Sequence, residues 1–314
     1  MTRIVEVSAG VLLRETADGP EFLLARRPSD KAFAGYWEFP GGKVEPGESF
    51  SEALARELLE ELRITITEAT PWLCREHSYP HARVRLKFFR VTNWQGEIDT
   101  HEHTGAVWTR LGEAPAVTPV LPANGPILRA LALPKLYVIT NATENGIDAE
   151  LERIRQALMR GIRLLQLRDK TLAADEHRRF AEKAAALVAA FPGTRLLVND
   201  DEGLARDIGA CGVHLSSSRL HSLARRPDFD WVAASCHTTA DLSRAEQRGV
   251  DFAVLGPVLP TASHPESQGI GWEAFAQLTE LAAIPVFALG GMRPELLATA
   301  EARGAHGIAL LRAW

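Results

Sequence analysis

The chain has 314 residues, 46% hydrophobic and 24% charged, more than a single core of ordinary size is expected to hold. Its formal net charge of −5 provides no general field for a nucleic-acid backbone, so direct nucleic-acid binding is not expected; a small phosphorylated ligand needs only a local basic patch or a metal. Three cysteines without metal-site spacing (Cys74, Cys211 and Cys236), no apolar signal core and no run of about 20 apolar residues point to a reduced, cytoplasmic protein without a membrane span.

The first half opens with strand-like alternation at Ile4–Arg14 and Glu21–Ala25, separated by the turn residues Asp18-Gly19-Pro20. One helical pattern follows from Ser49 to Leu62. Further strand-like runs lie at Val84–Thr92 and Gly105–Arg110, and a short closing helix is predicted at Ile127–Ala132. Pro115, Pro119, Pro122, Pro126 and Pro134 mark an irregular arm and linker, because proline continues neither a ladder nor a helix interior. The boundary falls near Leu133, giving domains 1–132 and 133–314. The rhythm then changes. Apolar runs at Leu136–Thr140, Leu164–Leu167, Leu196–Val198, Val213–Leu215, Val232–Ala234, Ala253–Leu255, Val286–Leu289 and Ile308–Leu311 alternate with helical patterns such as Ala149–Arg160, Asp175–Ala190, Thr239–Arg248 and Trp272–Leu281. Strands fed through helices make right-handed βαβ units. Repeated this often, they predict a compact (β/α)8 barrel of the TIM type, with a doubly wound open sheet as the alternative. No clear last helix follows the eighth strand.

The chemistry is densest between Gly41 and Leu62. Glu57, Glu60 and Glu61 stand at i, i+3 and i+4 of the predicted helix and share one face. Crowded like charges there call for a hard cation such as Mg²⁺, with Mn²⁺ an alternative, which would also bridge phosphate oxygens and activate water. Taken alone, such a triplet is more often a solvated acidic face. Arg56 should point elsewhere and pair with Glu48. Gly41 and Gly42 allow close backbone approach.

The whole stretch resembles the Nudix box, G-x5-E-x7-R-E-U-x-E-E-x-G-U with U apolar, matched by Gly42, Glu48, Arg56, Glu57, Leu58, Glu60, Glu61 and Ile64. It departs at Arg63, where the pattern has glycine, the residue suited to a left-handed helix cap. The resemblance implies an α+β Nudix fold, a mixed sheet with helices, and hydrolysis of a phosphoanhydride by a metal site of Gly41, Glu57, Glu60 and Glu61, with Gly42, Glu48 and Arg56 in structural roles. Arg26-Arg27-Pro28, Trp37-Glu38-Phe39-Pro40-Gly41-Gly42 and Leu121-Pro122-Ala123-Asn124 further resemble the MutT-type 8-oxo-dGTP diphosphatases. That likeness assigns Arg27 to the nucleotide, Glu38, Phe39, Pro40 and Gly41 to the purine pocket, and Asn124 to the base edge. Phe39 serves equally well as core. Glu102, six residues before Trp108, matches the glutamate that acts on the attacking water. His77, His81, His101 and His103 read as surface histidines rather than a metal cluster.

The second half is similar to the thiamine-phosphate synthase and TenI family through Gln166-Leu167-Arg168-x-Lys170, Val198-Asn199-Asp200, Gly212-Val213-His214-Leu215, Gly256-Pro257-Val258-x-Pro260-Thr261 and Leu289-Gly290-Gly291. The likeness implies a site at the strand C-termini that takes a thiazole or phosphate ligand, with Gln166, Lys170, Asn199, Gly290 and Gly291 contacting it. Arg219 stands where the synthases place a magnesium aspartate, Thr261-Ala262-Ser263-His264 replaces their Thr-x-Thr-Lys loop, and Arg312 replaces a serine. Ser235-Cys236-His237 matches the TenI-type tautomerases and makes His237 a candidate acid/base. The readings of this half are therefore a ligand-binding or sensing barrel, a tautomerase, or a synthase. In the last two cases the Nudix half could serve thiamine-like diphosphates. An oligomer is compatible with all of them.

Overall fold

The computed structural model describes residues 4–79, 82–169, 171–262 and 268–314. His81, Lys170, Ser263 and His264, all singled out above, lie outside the described residues. The chain divides into two compact units, residues 1–133 with 280–283 and residues 134–279 with 284–314.

The first unit runs β1 (Ile4–Thr16), β2 (Gly19–Arg26), β3 (Trp37–Glu38), β4 (Gly41–Lys43), α1 (Phe50–Leu62), β5 (Thr65–Tyr79), β6 (Ala82–Gln95), β7 (Ala106–Arg110), a 3-10 turn at Pro122–Asn124, and α2 (Gly125–Leu131). β1 pairs in parallel with β6 from Ile4↔Arg83 to Leu12↔Val91, then antiparallel with β2 from Leu13↔Phe22. One long strand thus serves two ladders, and the sheet is mixed. Successive side chains of a strand face opposite sides. Val11, Phe22, Leu24 and Phe88 pack with Ile127 and Leu131 of α2, while their neighbours Leu12, Leu23 and Phe89 pack with Leu54, Leu58 and Leu62 of α1.

α1 starts where Ser49 and Glu52 cap each other reciprocally, at 3.2 and 2.8 Å. It ends at Arg63 with φ 58° and ψ 28°, so arginine takes up the left-handed cap expected of glycine. β5 has no counterpart in the alternation read from the sequence. It lies at the outside of the sheet, where Pro71 is tolerated, and its register shifts near Glu68 and Pro71 break the two-residue period.

In the second unit the strands are β8 (Leu136–Ile139), β9 (Leu164–Leu167), β10 (Arg195–Asn199), β11 (Gly212–Leu215), β12 (Trp231–Cys236), β13 (Phe252–Leu255), β14 (Val286–Ala288) and β15 (Gly307–Leu310). All pair in parallel, and β15 closes on β8 through Ile308↔Leu136, which rules out the open sheet. The helices between them are α3 (Ala142–Asn145), α4 (Ile147–Met159), α5 (Ala174–Ala189), α6 (Glu202–Asp207), α7 (Ser217–Ser222), α8 (Thr239–Gln247), α9 (Gly271–Thr279) and α10 (Leu297–Ala302). Tyr137, Phe252 and Phe287 fill the barrel interior, with ring centroids 5.3–5.8 Å apart. Beyond β15, residues 311–314 form no helix. The Trp314 indole N–H donates to the Ile139 carbonyl at 3.1 Å, and the Arg153 guanidinium lies 4.1 Å over its ring. Among the described residues no helix is long and apolar enough to cross a membrane.

Candidate active site

α1 presents its apolar residues to the sheet and its carboxylates to β4. The β4 backbone is drawn tight against β1, with Ala9 opposite Gly41 and Ser8 opposite Gly42. A Cβ on Gly41, whose φ is 140°, would come within 2.2 Å of the Ser8 carbonyl oxygen. One on Gly42 would come within 2.2 Å of the Glu57 carboxyl carbon. Both glycines are therefore needed for helix and loop to close this far.

The carboxylates are shared between two side-chain cations. Arg56 is held by Glu48 at 2.9 and 3.0 Å and by the Lys43 carbonyl at 3.0 Å. It also reaches Glu57 at 2.9 Å and Glu60 at 3.4 Å. Its hydrogen bonds to Glu48 hold that carboxyl below the usual range. Glu61 is buried. It accepts from the Gly41 N–H at 2.8 Å and faces the Lys31 ammonium at 3.6 Å, and burial pushes its pKa up to about 7. Lys31 also meets Glu102 at 3.2 Å. The segment carrying Glu102 is pinned to the end of α1, where Asp99 N–H donates to the Leu62 carbonyl and His101 N–H to the Glu61 carbonyl.

Above this floor, Arg27 donates to Glu38 at 2.7 Å and to the Ala32 carbonyl at 2.8 Å. β3 fastens the later arm: Trp37 N–H donates to the Pro119 carbonyl and Leu121 N–H to the Trp37 carbonyl. These bonds tie to β3 the segment that leads into the turn bearing Asn124. Asn124 is buried, and its Nδ2 has no hydrogen-bond partner. His103 is buried too, its Nε2 3.8 Å from Glu38 and 4.0 Å from Glu61, its Nδ1 without a partner.

In the barrel, strand C-termini carry a second polar group. Gln166 donates to Asn199 at 2.9 Å, and Asn199 to Asp200 at 3.2 Å. Asp200, at φ 57°, accepts the Ser216 N–H at 2.7 Å. His214 bridges the Tyr137 hydroxyl at 3.0 Å and the Ser235 hydroxyl at 2.9 Å, and burial lowers its pKa to about 3. The exposed His237 ring donates from Nδ1 to the Gly256 carbonyl at 2.7 Å.

The family model described as NUDIX domain matches residues 5–131, and the one described as thiamine monophosphate synthase matches residues 136–314. The CTP pyrophosphohydrolase of Escherichia coli (strain K12) is 39% identical over 128 residues, covering 41% of this chain and 91% of that protein. The 8-oxo-dGTP diphosphatase of Proteus vulgaris is 37% identical over 94 residues, 30% of this chain and 81% of that one. The thiamine-phosphate synthase of Azorhizobium caulinodans is 32% identical over 185 residues, 57% of this chain and 85% of that one. The chain belongs to both families. It is a Nudix pyrophosphohydrolase unit followed by a thiamine-phosphate-synthase-like barrel.

Nudix hydrolases generally use divalent metal cations. A Cβ-free cradle around Glu57 and a buried carboxylate with a raised pKa are features such an ion would satisfy. The expected ligand set is not gathered, however: among the described residues no three His, Cys, Asp or Glu groups converge to hold an ion. The physical reason is visible, since Glu57 and Glu60 turn to Arg56 and Glu61 to Lys31. Arg56 therefore does not point away from the carboxylates. Phe39, for which the purine pocket and the core were both open, lies in the core 6.0 Å from the Phe22 ring and 6.1 Å from Phe88. Pro40 is buried and its carbonyl accepts the Gly10 N–H. His103 is buried between two carboxylates rather than at the surface, and neither it nor Lys31 was marked by any motif.

In the barrel, Gln166, Asn199 and His237 fall at strand ends as expected. Gly290 and Gly291 have φ of 98° and 67°, and an added Cβ would come within 2.6 Å of Pro257 at the first and 2.7 Å of Leu259 at the second. Arg219 is paired with Glu202 at 3.2 Å, and Arg312 with Glu144 at 3.0 Å.

Proposed function

We propose that the Nudix unit hydrolyses a nucleoside triphosphate to the monophosphate and pyrophosphate, with Mg²⁺ or Mn²⁺ held by Glu57, Glu60, Glu61 and the Gly41 carbonyl. Such an ion supplies charge for the phosphates and a more acidic water. Glu102 takes a proton from the attacking water. Arg27, freed from Glu38, binds the nucleotide, and Asn124 reads the base. The preferred substrate is 8-oxo-dGTP. What carries this reading is the Asn124 amide: a buried donor without a partner costs about 1–3 kcal/mol, which a base acceptor would recover. Cytosine also offers acceptors at its edge, and the 39% identity to a CTP pyrophosphohydrolase makes CTP the second reading.

For the barrel, the free Nε2 of His237 supports proton transfer on a thiazole phosphate bound by Gln166, Asn199, Gly290 and Gly291. The same arrangement would serve a barrel that only senses that ligand. The thiamine reading predicts that the Nudix unit prefers thiamine diphosphate.

The test is pyrophosphate or phosphate release with Mg²⁺, comparing 8-oxo-dGTP, dGTP, CTP and thiamine diphosphate, with Glu57→Gln as the control. Selectivity for 8-oxo-dGTP that vanishes in the control supports the first reading. Equal turnover of dGTP sinks it. Selective turnover of CTP or of thiamine diphosphate replaces it with the corresponding alternative.

A further inference from the structure

Two cations each hold a pair of carboxylates on the side of α1 that carries the Nudix glutamates. Arg56 serves Glu57 and Glu60, and Lys31 serves Glu61 and Glu102. The two cations are built differently. Arg56 is locked by a two-pronged contact with Glu48 and by the Lys43 carbonyl. A planar guanidinium held in this way has little freedom to leave. Lys31 has no such anchor. Among the described residues its ammonium contacts Glu61 and Glu102, both in the site, and its side chain is 39% exposed. Its segment is tied at both ends, because Arg27 N–H donates to the Tyr36 carbonyl and Gly35 N–H to the Arg27 carbonyl. Departure therefore requires rotation of a flexible side chain only.

Resting on the Nudix reading above, we propose that Lys31 is a displaceable internal counter-ion: it joins Glu61 to Glu102 in the metal-free protein and turns to the substrate phosphates when a divalent cation takes its place. One oxygen of Glu61 faces Lys31 and the other is bound by the Gly41 N–H. A divalent ion drawing on Glu61 competes with the ammonium at 3.6 Å. The released ammonium then stands at the edge of the same site, beside the phosphate chain whose charge it complements.

The experiment titrates Mn²⁺ into the full-length chain, reading free Mn²⁺ by electron paramagnetic resonance, for wild type, Lys31→Gln, Lys31→Arg and Glu61→Gln. Removing the competitor should tighten Mn²⁺ binding by Lys31→Gln about fivefold. The metal-free Lys31→Gln protein should melt below wild type and recover with Mn²⁺. Its KM for the best nucleoside triphosphate should rise roughly tenfold with a smaller change in kcat. Lys31→Arg should resemble wild type in all three. Unchanged or weaker Mn²⁺ binding by Lys31→Gln overturns the proposal. If wild type binds no Mn²⁺, or Glu61→Gln binds it as well as wild type, the metal-site reading itself fails, whatever Lys31 does.

Discussion

At the scale of single residues, Gly42 is the glycine whose missing side chain leaves room for the Glu57 carboxylate. The Cβ of an alanine there would overlap the Glu57 carboxylate at 2.2–2.3 Å. The clash falls on the far end of a flexible side chain, so the fold survives while the carboxylate is pushed aside. A displacement of about 1 Å at a reacting centre costs on the order of a hundredfold in rate. Gly42→Ala should therefore lose about that factor in pyrophosphate release while its circular dichroism stays that of wild type. Activity within threefold of wild type would show that Glu57 has room to relocate. The box residues were legible in the sequence because glycine, arginine and glutamate each recur at a fixed spacing. Lys31 and His103 were not. They enter the site from segments between β2 and β3 and before β7, brought there by backbone hydrogen bonds such as Thr104 N–H to the Arg26 carbonyl, and no local spacing records that meeting. Phe39 shows the opposite problem. It stands in the short link between β3 and β4 amid residues that a motif marks, and only the fold shows that its ring packs into the core.

At the scale of elements, helix α1 carries both strengths and a flaw. Its span from Ser49 to Leu62 was legible in the sequence, and the structure adds the capping box and the Leu54, Leu58 and Leu62 stripe that hold it. Its end could be read as a departure from pattern, and the structure shows the consequence: exposed Arg63 is held at φ 58°. A side chain with a Cβ in that conformation costs about 1 kcal/mol relative to glycine. Part of the gain from glycine is lost to the freer unfolded chain. Arg63→Gly should raise stability by roughly 0.5–1 kcal/mol, seen as a higher urea midpoint at unchanged slope. A fall in the midpoint would mean that the arginine side chain contributes more than its backbone costs. Strand β5 was not legible, because bulges and Pro71 disrupt the period by which a strand is recognised. The six-residue helices α6, α7 and α10 are under two turns and leave hardly any periodic signal.

At the scale of the whole molecule, both folds announce themselves by repetition: one long strand shared by two ladders, and eight strands buried on both faces. The barrel interior adds a property the strand pattern does not reveal. His214 sits within it, bonded to Tyr137 and Ser235, and burial lowers its pKa to about 3 against an ordinary 6.5. The unfolded chain takes up a proton below pH 6.5 while the folded barrel refuses it until pH 3. Stability is thus fully present above pH 6.5 and falls as the solution is acidified through that window. The loss from this group alone should reach about 2 kcal/mol at pH 5. His214→Gln keeps a polar side chain but cannot titrate, so it should start less stable at pH 7 yet fall less between pH 7 and 5. Urea denaturation followed by tryptophan fluorescence at both pH values measures the two slopes. If the variant loses as much stability on acidification as wild type, His214 is protonated in the folded barrel, and the Tyr137–His214–Ser235 chain carries a charge rather than a neutral ring.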